Sequence, residues 1–246
     1  MSAGPRVVVV TGGGKGIGRA VVARFAAAGD RVVAVGRDRA ALEEAGASAA
    51  EVCDVTDEAG VKGLFERLGR VDVLVNNAGV STSAPLERTT LDDWESQLAV
   101  NATGAFLCTR AVVPGMIERA DGRIVTVAST AGLAGSRYTS AYTASKHAAV
   151  GLMRAVATEI AGTGVTANAV CPAFVRTEMT DRSIARIVSA TGRNEADAEA
   201  ALAASSPLGR LLEPDEVAFA VQFLAAPEAG SINGQTLALD GGGIQT

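Results

Sequence analysis

A run of four valines at residues 7–10 leads directly into a glycine-rich segment, and this junction constrains the fold more than any other feature of the chain. Consecutive β-branched residues bounded by glycine are typical of a strand buried on both faces, as in a parallel sheet. Over residues 17–28 the apolar residues recur at helical spacing, and Gly29 ends the pattern. A buried strand, a tight turn and a helix are therefore predicted in immediate succession.

The same alternation of short strands and helices continues along the chain. Strands are predicted at residues 7–10, 31–35, 49–53, 71–75, 123–128, 165–170 and 235–239, and helices at residues 17–28, 40–45, 56–68, 91–113, 141–162 and 214–225. Such alternation implies right-handed βαβ units. It predicts an α/β fold in a single domain over residues 1–246, with a doubly wound parallel sheet of seven strands of the Rossmann type.

Composition excludes several classes of protein. One histidine among 246 residues, His147, excludes histidine-rich metal sites. Three cysteines without C-x-x-C spacing argue against a zinc knuckle or a disulfide scaffold and suit a reducing cytosol. A net charge of −5 argues against nucleic acid as the main partner, and uncharged apolar runs are too short for a membrane span. We therefore expect a cytoplasmic protein without metal, nucleic acid or membrane.

The glycine-rich segment, residues 11–18, reads Thr-Gly-Gly-Gly-Lys-Gly-Ile-Gly. Gly12 allows a sharp turn, Gly16 allows the backbone to approach a pyrophosphate, and Gly18 allows the helix to pack on the sheet. The N-terminus of the helix adds free N–H groups and positive potential. The segment predicts a dinucleotide site, whereas the alternative, a glycine turn without a ligand, is disfavoured by the strand directly before it.

Further motifs follow in order. Asn-Asn-Ala-Gly at residues 76–79 stands after the fourth predicted strand, Asn101 lies in the next helix, and Ser129 ends the fifth strand. Tyr142 and Lys146, in a Y-x-x-x-K pattern, lie in the helix that follows. With the G-x-x-x-G-x-G spacing of the loop, these motifs resemble the short-chain dehydrogenase/reductase family over essentially the whole chain.

Tyr142 and Lys146 are four residues apart, so they share one helix face. A lysine cation stabilises a phenolate and lowers a tyrosine pKa that is ordinarily near 10. The pair therefore predicts a general acid/base built without histidine. Ser129 can donate a hydrogen bond to a carbonyl oxygen and polarise it. Each residue alone has a structural alternative, with Ser129 as a strand-end hydrogen bonder and Asn101 as a kink in its helix.

The resemblance implies roles for further residues. It implies that Lys146 also holds the nicotinamide ribose and that Asn101 holds a proton-relaying water, and it completes a catalytic set of Asn101, Ser129, Tyr142 and Lys146. Asp54 matches an adenine contact, although a helix cap is an alternative for its side chain. The expected cofactor-binding residues are Gly12, Gly14, Lys15, Gly16, Ile17, Gly18, Arg37, Asp54, Val55, Asn77, Ala78, Gly79, Tyr142, Lys146, Val175 and Thr177.

The end of the second strand indicates the type of cofactor. In NAD enzymes a carboxylate near this point bonds the ribose 2′-hydroxyl, whereas basic residues accept a 2′-phosphate. Here Gly36 occupies the place of the acid, Arg37 follows it, and Lys15 lies in the glycine loop. Two cations favour NADP(H) over NAD(H). Asp38 would favour NAD(H) if its side chain turned inward.

One polar, alanine-rich helical stretch, residues 180–206, interrupts the alternation, and we expect a substrate lid over about residues 177–210. The resemblance is to 3-oxoacyl reductases and polyketide ketoreductases, so the expected activity is reduction of a ketone, foremost a 3-oxoacyl thioester. A secondary alcohol, steroid or sugar dehydrogenase and a non-catalytic cofactor sensor are alternatives. Four arginines could meet thioester phosphates, or could simply be solvated: Arg137, Arg176, Arg182 and Arg186.

The resemblance also implies a homotetramer that uses the helix after Tyr142 and the last strand. Ala148, Ala149, Leu152 and Val156 would form a small-residue surface for such packing, or would face the protein's own sheet. At residues 172–173 the chain has Pro-Ala where the family has Pro-Gly. That change is tolerated if φ at Ala173 is negative.

Overall fold

The seven predicted strands are confirmed in the computed structural model, which describes residues 4–245. They form one parallel sheet in the order β3-β2-β1-β4-β5-β6-β7. Their bounds are β1 (Val7–Thr11), β2 (Arg31–Gly36), β3 (Ala49–Val52), β4 (Val73–Asn76), β5 (Gly122–Val127), β6 (Val165–Pro172) and β7 (Thr236–Leu239). The α/β doubly wound architecture follows from this order and from the helices on both faces of the sheet.

The helices lie between the strands. They are α1 (Gly16–Ala27), α2 (Arg39–Glu43), α3 (Glu58–Leu68), α4 (Leu91–Leu98), α5 (Gly104–Glu118), α6 (Ser140–Glu159), α7 (Glu178–Thr191), α8 (Glu195–Ala203) and α9 (Pro214–Leu224). Short 3₁₀ turns occur at Leu86–Arg88, Thr130–Gly132 and Pro227–Ser231. Two of the helices, α7 and α8, form the predicted interruption between β6 and α9.

The valine run shows why the strands are apolar throughout. Val7 and Val9 pack on the face covered by α3, α5 and α6, and Val8 and Val10 pack on the face covered by α1 and α9. Because successive side chains of a strand point to opposite faces, a sheet covered on both sides needs apolar residues at every position. This produces two hydrophobic layers that hold the strand ends rigidly.

The carboxyl ends of β1 and β4 form the crevice where the strand order reverses. The chain runs from β1 outward to β3 and then returns to place β4 on the other side of β1. Ligands of open α/β sheets bind at such a switch point. Thr11 ends β1, and its Oγ1 accepts hydrogen bonds from the backbone N–H groups of Asn77 and Ala78, each at 3.0 Å. The two loops that line the crevice are thereby tied together.

The predicted long helix is interrupted by a π-helical turn, Ala99–Thr103, between α4 and α5. The backbone N–H of Gly104 donates to the carbonyl of Ala99, five residues earlier. The whole run, Leu91–Glu118, is 28 residues long and has a mean hydropathy of 1.2 in its most apolar window, which meets the length and composition of a membrane span. Its Leu107 and Cys108 are buried in the core beside α6, as in the core helix of a packed domain.

Candidate active site

The glycine loop is closed by a contact with its own helix. Gly12 has φ +65°, a conformation that favours glycine. A Cβ on Gly18 would lie 2.1 Å from the carbonyl oxygen of Gly12 and 2.5 Å from Nδ2 of Asn77. Asn77 Nδ2 itself donates to the carbonyl oxygens of Thr11 and Gly12, at 2.9 and 3.1 Å. Gly18 therefore lets α1 approach the residues that directly follow β1 and β4, so the close contact lies at the carboxyl edge of the sheet.

The N-terminus of α1 fits a pyrophosphate. Lys15 is its N-cap residue, and no side chain forms a cap hydrogen bond there. The first N–H groups of this helix of 12 residues thus lack a side-chain acceptor, as an anion site at a helix N-terminus requires. Gly14 is packed against α2, at 3.0 Å from its Cβ position to the carbonyl carbon of Ala41, and Ile17 packs on the α1 layer of the core. The residues present are suited to a dinucleotide.

Both predicted phosphate cations have carboxylate partners. Lys15 Nζ lies 3.6 Å from carboxylate oxygens of both Asp38 and Glu178. Arg37 lies 3.7 Å from Asp54, with 73% of its side chain exposed. Exposed ion pairs of this kind contribute little and exchange readily. A phosphate arriving at this surface would compete for the two cations with these carboxylates.

Asp38 and Asp54 have local structural partners. The carboxylate of Asp38 caps α2 by accepting the Ala41 N–H at 3.2 Å. Asp54 accepts the N–H and the hydroxyl of Thr56, and these bonds hold its pKa below the ordinary value. The cap of α3 is Asp57, so the interpretation of Asp54 as a helix cap was wrong.

Tyr142 and Lys146 lie together on α6, with Nζ of the lysine 5.7 Å from the centre of the tyrosine ring. Nζ donates to the carbonyl oxygen of Val127 at 2.9 Å, and burial lowers the pKa of Lys146 to about 8. Burial also raises the pKa of Tyr142, while the Ser129 hydroxyl acts in the opposite direction. The net shift of the Tyr142 pKa is upward and not downward as predicted, because burial of the phenol outweighs the hydrogen bond from Ser129.

Ser129 follows β5 in an extended conformation at the start of a 3₁₀ turn. Its Oγ accepts the N–H of Ala131 at 3.1 Å, which leaves the hydroxyl hydrogen to be donated. The backbone N–H of Ser129 bonds the thiol of Cys171 on β6, and burial raises the pKa of that thiol to about 11. The neutral thiol thus lies in contact with the Ser129 backbone, a contact that the sequence did not predict.

Asn101 lies in the π turn and is buried. Its Oδ1 accepts the N–H of Val80, and its Nδ2 donates to the Val80 carbonyl and to Ser145 Oγ, each at 2.9 Å. Ser145 Oγ in turn donates to the carbonyl of Tyr142 at 2.8 Å. The Asn101 side chain therefore joins the β4–α4 loop to α6. Ser145 was missed, although its position three residues after Tyr142 placed it on a neighbouring part of that helix.

Two predicted contacts are core residues. Val55 and Val175 are only 6% and 5% exposed, and the carbonyl of Val175 already accepts from Thr180 Oγ1 at 2.6 Å. Only their backbones could reach a cofactor. Thr177, in contrast, is partly exposed, and its methyl group lies 3.1 Å from the Cβ position of Gly16.

The remaining predicted residues line the crevice. Asn77, Ala78 and Gly79 are partly exposed at the end of β4, and the Cβ position of Gly79 lies 3.1 Å from Asn101 Oδ1. Within residues 4–245, positive φ outside glycine occurs only at Ala120 and Tyr138, so Ala173 meets the condition set for it.

The sequence and fold match known proteins. The short chain dehydrogenase family model matches residues 6–187. The 3-oxoacyl-[acyl-carrier-protein] reductase of Synechocystis sp. is 37% identical, with 96% of each chain covered. The D-threitol dehydrogenase of Mycolicibacterium smegmatis is also 37% identical, over 96% of this chain and 92% of that protein.

A solved structure of a variant actinorhodin polyketide ketoreductase with NADPH superposes with a TM-score of 0.91, at 36% identity over 97% of both chains. These matches cover nearly the whole chain, which includes the glycine loop, all seven strands of the sheet, and Tyr142 and Lys146. The chain belongs to the short-chain dehydrogenase family of oxidoreductases.

Proposed function

We propose that the protein is an NADP(H)-dependent oxidoreductase that interconverts a ketone and a secondary alcohol, with 3-oxoacyl thioesters of coenzyme A or a carrier protein as its substrates. The observation that carries this proposal is the meeting of Tyr142, Ser129 and the buried Lys146 at the carboxyl end of β5, beside the glycine loop. A non-catalytic sensor would have no need of this assembled acid/base group.

The roles of the side chains follow from their surroundings. When bound, the reduced nicotinamide supplies the hydride to the carbonyl carbon. Tyr142 donates a proton to the oxygen of that carbonyl, because its raised pKa keeps the phenol neutral at pH 7. Ser129 donates a hydrogen bond to the same oxygen. Lys146 stabilises the phenolate left behind, and two of its three N–H donors stay available for the ribose.

The position of Asp38 supports NADP(H). Its carboxylate caps α2 and is largely exposed, so the side chain is turned toward α2 and solvent and not inward, which is the orientation that would favour NAD(H). Arg37 lies two residues before α2. It is exposed, and its ion pair is a surface pair with Asp54. A 2′-phosphate would find this guanidinium available.

Replacing Arg37 with alanine tests cofactor and reaction together. With a panel of ketones, we expect wild-type protein to consume NADPH faster than NADH, measured by the loss of reduced-nicotinamide absorbance. Arg37→Ala should raise the KM for NADPH about tenfold, the value of one charge-assisted hydrogen bond, and leave the KM for NADH unchanged. Arg39→Ala is the matched control, because Arg39 is an equally exposed neighbour paired with Glu43. If Arg37→Ala kept the wild-type ratio of the KM values for NADPH and NADH, the assignment of Arg37 to the 2′-phosphate would be refuted.

The thioester part of the proposal depends on fewer arginines than the sequence suggested. Arg176 is bound by Glu199 and Glu213, and Arg182 pairs with Glu178. Within residues 4–245, Arg137 and Arg186 have no carboxylate at ion-pair distance, but Arg186 donates to Ser83 near the Asp93 carboxylate, so Arg137 is the arginine that remains for a phosphate. Sugar, steroid, secondary-alcohol and polyketide substrates are the alternatives.

We also propose that residues 177–210 form a substrate lid. Helices α7 and α8 are anchored at both ends by buried hydroxyl groups. Thr180 Oγ1 donates to the carbonyl of Val175 at 2.6 Å, and Ser206 Oγ donates to the carbonyl of Asp240 at 2.7 Å. Between these two anchors the segment is mostly exposed, so it can move about fixed ends.

A homotetramer is proposed as the assembled form. Phe219 and Phe223 on α9 are 58% and 49% exposed, beside β7, and exposed aromatic residues of this size are characteristic of interfaces. On α6, Ala148 is exposed whereas Ala149 is buried against the protein's own core, so that helix offers only part of the predicted surface. We expect analytical ultracentrifugation to give four times the chain mass of 24.8 kDa, and Phe219→Glu to lower it. A monomeric wild type would contradict this.

A further inference from the structure

A polar cavity of about 210 Å³ lies next to the catalytic residues, and the reaction described above does not use it. At roughly 30 Å³ for each water molecule, its volume corresponds to about seven waters. The β4–α4 loop, α4, the start of α6 and α7 all contribute to its wall. The side chains that matter are Thr82, Ser83, Asp93, Gln97, Ser140 and Arg186.

The cavity is close to the proposed catalytic residues along α4 and along α6. Gln97 lies one helical turn before Asn101, and it holds Thr82 of the β4–α4 loop through two hydrogen bonds, at 2.8 and 3.1 Å. Ser140 opens α6 two residues before Tyr142. A substrate whose carbonyl lies at Tyr142 can therefore extend its remaining atoms into this space.

Arg186 reaches the cavity from the proposed lid. It is half-buried, and its Nη1 donates to Ser83 Oγ on the opposite side at 2.9 Å. A guanidinium has five N–H donors, so most of them are left for another acceptor. Ser140 Oγ is shielded from solvent and has no hydrogen-bond partner among residues 4–245. Arg186 is thus the polar group in the wall with donors available to a ligand, whereas Ser140 Oγ is covered by its neighbours.

Asp93 balances the charge of Arg186. Hydrogen bonds from Thr90 and the nearby guanidinium hold the pKa of Asp93 below its ordinary value, so its carboxylate is ionised at pH 7. One cation and one anion leave the cavity neutral, with donors and acceptors on facing walls. An anionic ligand would meet the Asp93 carboxylate, and an alkyl chain would leave the polar groups without partners.

Resting on the ketone reduction proposed above, we propose that this cavity binds a neutral, oxygen-bearing segment of the substrate and that Arg186 is the residue that selects it. Carbonyl, amide and hydroxyl oxygens accept from Arg186, and hydroxyl or amide hydrogens donate to Asp93. The amide linkers of a thioester, a polyol and a polycarbonyl chain all share this chemistry. Arg186 acts by binding the distal segment and takes no part in proton transfer.

The test compares ketones that differ in one group. In 2-heptanone and 6-hydroxy-2-hexanone, and in their longer homologues, a terminal methyl group is exchanged for a hydroxyl of nearly equal size. We expect wild-type protein to prefer the hydroxylated member about tenfold in kcat/KM at one or more chain lengths, the value of one hydrogen bond to a charged group. Arg186→Met should bring that ratio to about one, whereas Arg182→Met, one turn earlier on α7 and paired with Glu178, should keep it.

Several outcomes would overturn the proposal. They are a wild-type ratio near one at every length, a loss in Arg186→Met that is equal for both ketones, or a preference for 5-oxohexanoate over the neutral hydroxy ketone. Calorimetric titration of the hydroxy ketones into protein with NADP+ separates the two proposals. If no ketone is reduced, the proposed reaction fails. The subsite proposal still stands if wild-type protein binds the hydroxy ketone and Arg186→Met does not. It fails if wild-type protein does not bind the hydroxy ketone.

Discussion

Replacing Tyr142 with phenylalanine is expected to lower kcat for ketone reduction by about 10²–10⁴-fold, the range that a positioned general acid contributes. The exchange removes the proposed proton donor but keeps the ring, which packs beside Lys146 with Nζ 5.7 Å from its centre. Cofactor binding should therefore remain within about twofold of wild type. Steady-state rates with NADPH, together with fluorescence titration of the cofactor, measure both quantities.

Tyr138 provides the matched control, because it is the only other tyrosine of the chain. It lies four residues earlier and is 61% exposed, and Tyr138→Phe also removes only a hydroxyl. We expect its kcat to stay within about threefold of wild type. If Tyr142→Phe retained activity comparable to Tyr138→Phe, proton donation by Tyr142 would be ruled out.

The second large effect is expected for Gly18→Ala. A Cβ at this position would lie 2.1 Å from the Gly12 carbonyl oxygen, and a backbone atom cannot rotate away as a side chain does. The loop must shift, and overpacking of this kind costs about 1–3 kcal/mol. Because the shift displaces the N–H groups that would bind a pyrophosphate, we expect a lower Tm and at least a tenfold weaker affinity for NADPH.

Gly63→Ala separates the local effect from the general effect of replacing a helical glycine. Gly63 lies inside α3, where the nearest contact of a Cβ would be 3.6 Å from the flexible side chain of Arg67. Alanine there should raise stability by about 0.5–1 kcal/mol. Calorimetric Tm and cofactor titration of both variants give the comparison. A Gly18→Ala protein with wild-type Tm and affinity would show that the close contact is not needed.

The fold could be predicted from the sequence because its signals are local. Residues 7–10 of β1 are all valine and the apolar residues of α1 recur at helical spacing, so strand and helix follow from neighbours in the chain. The π turn at Ala99–Thr103 contains no proline or glycine that would mark it. It is held by Asn101, whose partners Val80 and Ser145 are distant in sequence.

The sequence predicted which residues lie at the site better than it predicted their pKa values and ion pairs. Tyr142 and Lys146 were identified by their spacing, but their pKa values depend on burial by the whole domain. Lys15 and Arg37 were expected to act as cations toward a phosphate, and the carboxylates that pair with them come from three other segments. Spacing reports which residues share a face, whereas tertiary packing decides their electrostatics.

The π turn has a consequence for the tolerated length of the chain. It places one extra residue between α4, whose Gln97 holds the β4–α4 loop, and α5, whose Leu107 and Cys108 lie in the core. In a continuous α-helix one extra residue would turn α5 against α4 by about 100°, and either the loop contacts or the core contacts would lose their register. The wider π turn absorbs that residue, so both sets of contacts are kept. A one-residue deletion at Ala102 is therefore expected to disturb the register less than the same deletion inside α4 or α5.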